Sequence, residues 1–127
     1  MILDTNILMR LIDGADGNRY ATVRERLERA LTGGERLYVH AATMHEVVFV
    51  LSSKATGYGY TRVEAAGEVQ ALLDAPELTV EHDAALREAA TTYGTSRGTD
   101  FHDCYLAARG RELGEDVFSL DGDFGKL

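Results

Sequence analysis

Four short apolar runs, Met1-Ile-Leu3, Leu37-Tyr-Val39, Leu78-Thr-Val80 and Val117-Phe-Ser-Leu120, are spaced along the chain, and segments of helical periodicity fill the gaps between them. Strands this short, each followed by a helix rather than a tight turn, pair in parallel and carry their helices across the sheet. The chain has 127 residues, 45 % of them hydrophobic, enough to bury one core unaided and too few for two. The expectation is therefore one α/β domain over residues 1–127: a short, mainly parallel sheet of four or five strands with helices on both faces.

The helices read as follows. Asn6 to Leu11 forms a short helix that Asn6 can cap, and the Asp13 to Asn18 stretch is a turn-rich loop. Val23, Leu27, Ala30 and Leu31 recur at helical spacing up to a Gly33-Gly34 stop. Met44, Val47, Val48, Leu51 and Ala55 do the same, with a strand as the alternative for this β-branched run. Thr61 and Glu64 have capping-box spacing ahead of a helix that closes near Pro76. Asp83 can cap the helix containing Leu86 to Tyr93. Phe101, Cys104, Tyr105 and Ala108 form an apolar stripe on a last helix running to about Leu113-Gly114.

Several function classes drop out on composition and motif. The longest apolar run, Val47 to Leu51, is too short to cross a membrane, no signal-peptide pattern follows Met1, and one cysteine, Cys104, excludes an internal disulfide. A cytoplasmic protein is expected. No Gly-rich phosphate loop, Walker lysine, nucleophile elbow or HExxH motif occurs. The net charge of -8 argues against a non-specific nucleic-acid binder, but less so if clustered carboxylates hold a cation where the substrate touches. Acidity also suits a basic partner peptide.

The acids supply the chemistry. Asp4 follows the first apolar run and opens a helix, the place where open α/β sheets carry their sites; taken alone, a strand ending in an Asx turn reads the same way. Glu46 is expected in the first turn of a helix apolar almost all round, with its carboxylate partly buried, although Thr43 and Glu46 also have capping-box spacing. Asp100 and Asp103 lie on one side of the last helix. Asp100 is well explained as a cap, which leaves Asp103 as the better ligand. Asp121 follows the fourth run, with an Asp-Gly turn as the alternative, and Asp123 comes two residues later.

Four such carboxylates make an oxygen-only set of the kind Mg²⁺ or Mn²⁺ prefers. Without a cation, each pair about 4 Å apart would repel by roughly 4 kcal/mol at an effective dielectric near 20. His45 and His102 each precede one of the acids, but adjacent helical residues point about 100° apart, which argues against joint zinc ligation.

Taken together, Leu3-Asp-Thr-Asn6, His45-Glu-Val-Val48, Phe101-His-Asp-Cys-Tyr-Leu-Ala-Ala108 and Ser119-Leu-Asp-Gly-Asp-Phe124 give the chain a resemblance to the PIN-domain nucleases, most closely the VapC-type toxins of bacterial and archaeal toxin-antitoxin modules. The resemblance spans nearly the whole chain and implies a PIN-like three-layer sandwich. It implies that Asp4, Glu46, Asp103 and Asp121 form a catalytic, metal-binding quartet for Mg²⁺, with Mn²⁺ as substitute. Thr5, Asn6, Asp100, Ser119 and Asp123 would support it. Ser119 stands where the family more often has Thr, and the chain stops at Leu127 where many relatives continue into a last edge strand. The implied activity is cleavage of single-stranded or loop RNA, leaving a 5′-phosphate and a 3′-hydroxyl. Arg10, Arg19 and Arg97 are the candidate RNA contacts. A cognate antitoxin and a homodimer are the implied protein partners. Two rival expectations are a PIN-domain RNA-processing nuclease without antitoxin, and a non-catalytic acidic binding module.

Overall fold

A computed structural model describes residues 1–17, 19–122, 124 and 127. In order the elements are α1 (Thr5–Asp13), α2 (Tyr20–Thr32), β1 (Leu37–Val39), α3 (Ala41–Ser52), a 3-10 turn (Lys54–Thr56), α4 (Arg62–Asp74), β2 (Leu78–Val80), α5 (Asp83–Thr95) and α6 (Phe101–Leu113). β1 and β2 pair in parallel, Leu37 opposite Leu78 and Val39 opposite Val80. The opening run joins the other side of β1 through one parallel bridge, Ile2 to Tyr38. There the Leu3 N–H donates to the Tyr38 carbonyl at 2.9 Å, and the Tyr38 N–H to the Met1 carbonyl at 2.8 Å. Three of the four apolar runs thus lie in one parallel layer, although only two qualify as strands.

The expected sheet of four or five strands is not formed among the described residues. The run from Val117 to Leu120 lies outside any strand, with Phe118 95 % and Leu120 99 % exposed. The end of α6 explains this. Gly114 adopts a left-handed φ of 66°, and the Glu115 N–H donates to the Gly110 carbonyl at 2.9 Å, a Schellman-type stop that turns the chain back along its own helix. Nor do helices cover both faces throughout: Ile2, Tyr38 and Thr79, level with one another across the layer, are all exposed.

Val117 then packs beside Gly110, where a Cβ would lie 2.8 Å from the Glu115 carbonyl oxygen. A helical Gly→Ala change ordinarily stabilises by about 0.5–1 kcal/mol. Gly110→Ala is expected to do the reverse, because a backbone atom must move to admit the methyl group; a thermal melt above the parent's would contradict this packing.

Beneath the layer, one cluster forms the core. It includes Leu8, Leu37, Met44, Val47, Leu51, Val69 and Leu86, all essentially without solvent contact. Each large apolar side chain buried this way contributes about 1.5–3 kcal/mol. Residues 44–51 are helical, and the β-branched run simply faces the core. α4 packs on α5, and α5 on α6.

Helix starts separate local from distant capping. At α4 the expected box is present: Thr61 Oγ1 accepts from the Glu64 N–H at 3.2 Å and Glu64 Oε1 from the Thr61 N–H at 3.0 Å. At α1 the cap is Asp4 rather than Asn6, which lies inside the helix. α3 begins at Ala41, so Thr43 and Glu46 form no box and Glu46 sits in the second turn. Its first N–H is met instead from the end of β2, where Glu81 Oε1 accepts from Ala41 N–H at 3.0 Å; this bond holds the Glu81 carboxyl below its usual range. At α5, His82 takes the cap position with a left-handed φ of 56° and Asp83 is the first helical residue.

Candidate catalytic site

Asp4 ends the opening run in extended backbone, and its Oδ1 accepts from the Ile7 N–H at 3.2 Å. The next residue, Thr5, is buried, and its hydroxyl donates to Glu46 Oε2 at 2.6 Å. That bond ties the start of α1 to the second turn of α3 and brings residues 41 apart in sequence into contact. Glu46 itself is exposed rather than partly buried. Asp4 and Glu46 differ from acids such as Asp13, Glu28, Asp74, Glu77 and Glu88, each of which lies against an arginine.

At α6, Asp100 is the cap, its Oδ1 accepting from the Asp103 N–H at 2.8 Å. Asp103 is the third helical residue and half-buried. Asn6 is exposed on α1. Ser119 Oγ accepts from the Asp121 N–H at 3.0 Å in the exposed segment after α6, so this stretch makes a local turn instead of a strand end. Asp123 lies outside the described residues.

In kind, the acids suit a hard cation. As placed, they are not gathered: among the described residues no three of His, Cys, Asp and Glu lie close enough together to hold a metal ion. Of the candidate RNA contacts, Arg10 is drawn toward Asp13 at 3.7 Å, Arg19 is exposed at a left-handed φ of 63° before α2, and Arg97 is exposed in the α5–α6 connection.

A family sequence model, the PIN domain, matches residues 1–127. The chain belongs to the PIN-domain family. No curated protein and no solved structure gives a significant match. PIN domains are generally nucleases that bind nucleic acid and use divalent metal ions, commonly Mg²⁺ or Mn²⁺. No helix among the described residues of this PIN domain is long and apolar enough to cross a membrane.

Two groups near the acids of this PIN domain were not anticipated. His45, next to Glu46, sits edge-on to the rings of Phe101, His102 and Tyr105 at centroid distances of 5.2, 5.1 and 4.7 Å. Its Nδ1–H donates to the Ala41 carbonyl at 2.7 Å, while Nε2 is buried with no partner among the described residues. Burial lowers its pKa, which favours the uncharged ring. The second group is Arg62 at the start of α4, stacked 3.9 Å over the Tyr93 ring. The α6 stripe of Phe101 and Tyr105 was the available signal for His45. Arg62 had none, since its partners come from α5 and the α5–α6 connection.

Proposed function

We propose that this PIN domain is a divalent-metal-dependent endoribonuclease that cuts single-stranded or loop RNA and serves as the toxin of a cytoplasmic toxin–antitoxin pair, as a homodimer held in check by a cognate antitoxin. The observation that carries the catalytic reading is the 2.6 Å bond from Thr5 to Glu46, which joins Glu46 to the residue beside Asp4. Asp4, Glu46 and Asp103, with Asp121 as the fourth acid, are the residues that would hold Mg²⁺ or Mn²⁺, but they are not gathered as placed and would have to draw together on the ion, which would supply an activated water and charge stabilisation at the phosphate.

The chain's own residues do the positioning. Thr5 restrains Glu46 through Oε2 and leaves Oε1 for a ligand. Asp4 uses Oδ1 to start α1, which fixes the direction of its carboxylate. Asp100 organises the first turn of α6, on which Asp103 is carried. An acidic protein acting on a polyanion needs the cation to offset both charges, which accords with a net charge of -8.

Brief induced expression followed by sequencing of cellular RNA ends tests this. New 5′-monophosphate ends within unpaired regions, absent with Asp103→Asn, are expected. New ends carrying 5′-hydroxyls, or none, would contradict the reading.

A further inference from the structure

A cleft of about 480 Å³ opens between α3, the start of α4, the end of α5 and the start of α6, within the range of roughly 300–1,000 Å³ usual for small-ligand sites. Its rim carries exposed rings: Phe49 is 70 % exposed on α3, and His102 is exposed on α6 although its ring also meets those of His45 and Tyr105. An aromatic side chain left in water beside a concave surface is a stacking platform in search of a flat partner.

Arg62 lines the same cleft. Nε donates to the Tyr93 carbonyl at 2.9 Å, and Nη2 donates to Ser96 Oγ at 3.3 Å and to the Thr99 carbonyl. Its acceptors are thus neutral oxygens, so its charge is held in place without being cancelled. The contrast with its peers is specific. The half-buried arginines of the described chain are Arg10, Arg24, Arg62, Arg87 and Arg109, and all but Arg62 pair with a carboxylate. Nη1 has no partner among the described residues.

Asp100 also lines the cleft, but its Oδ1 is engaged by the α6 backbone, where the positive helix end offsets it. A fixed guanidinium, the hydroxyl of Ser53 beside that of Ser52, which is bonded to the Tyr93 hydroxyl at 3.1 Å, and exposed rings match one chemistry best: a phosphate joined to a flat heteroaromatic ring.

We propose that this cleft binds one nucleotide of the single-stranded RNA substrate next to the cut, its base stacking on Phe49 and His102 and its phosphate meeting Arg62. This rests on the ribonuclease reading and deepens it, because Asp100 on the cleft wall is three residues from Asp103 on the same helix. The cleft then adds affinity and selects unpaired substrate, since a base inside a duplex cannot reach it.

Arg62→Gln would be an ambiguous test, because Arg62 also ties α4 to the α5–α6 connection. Rim variants avoid this: Phe49→Ala removes an exposed ring, and Ser53→Glu places a carboxylate where the phosphate would sit. The probe is a labelled single-stranded RNA oligonucleotide titrated in Ca²⁺, which supplies the cation but supports cleavage poorly, by fluorescence anisotropy against parent and both variants, with thermal melts to verify folding. Each variant is expected to weaken binding by about fivefold or more with an unchanged melt. Equal binding by folded variants overturns the cleft and leaves the nuclease standing if the parent still cuts unmodified RNA. A parent that neither binds the probe nor cuts RNA overturns both.

Discussion

Asparagine at position 4 is expected to reduce RNA cleavage by about 100-fold or more and to leave the fold as stable as the parent's. The two halves have separate causes. Loss of a ligand carboxylate removes metal-derived stabilisation of the transition state worth several kcal/mol, and each ~1.4 kcal/mol is tenfold in rate. Stability is untouched because Asp4 caps α1 through Oδ1 alone, and an asparagine oxygen accepts the same Ile7 N–H equally well. Asp4→Ala is the informative companion: it is expected to be just as inactive but less stable by about 1 kcal/mol, the usual cost of a lost cap. Side by side, melts and cleavage rates separate the two roles of this carboxylate. An Asn variant that cuts like the parent, or melts as low as the Ala variant, would make Asp4 a structural cap only.

The same residue shows how far the sequence could be read. Mutual repulsion among four clustered acids, expected from their chemistry, would have made Asp4→Asn stabilising without metal. No such gain is expected, because no three such groups are gathered among the described residues. Position along the chain is local information, whereas convergence depends on how separate elements pack. Hence β1, β2 and the Thr61–Glu64 box were legible from neighbouring residues, and so was the cap at Asp100.

Other features were not, for identifiable reasons. Asp4 and Asn6 are both good caps, and the choice between them rests on where the bridge to Tyr38 ends. α3 takes its cap from Glu81, forty residues away, which no local pattern reveals. The fourth apolar run looked like a strand on composition, but the left-handed Gly114 and the close approach at Gly110 turn it onto α6, so Asp121 stays with its local turn. A supporting role for Thr5 was implied by family resemblance, but its bond to Glu46 joins residues 41 apart and no spacing reveals it. The ring cluster around His45 needed two helices to be seen together.

Removing the divalent cation is expected to have the largest effect of all, because every candidate ligand acts through it. The donors are carboxylates only, so a small hard ion is preferred; Ca²⁺, which takes a looser and larger shell, is expected to support activity poorly. His45, the ring next to Glu46, keeps its Nε2 buried, where it cannot reach a water in the site. The direct test is the cleavage of a labelled single-stranded RNA by purified protein, followed in Mg²⁺, in excess EDTA, and after Mg²⁺ is restored, with Asp103→Asn run alongside. The account predicts cutting in Mg²⁺, loss to background in EDTA, recovery on restoration, and background levels throughout for Asp103→Asn. Undiminished cutting in EDTA, or full activity in Asp103→Asn, would contradict it.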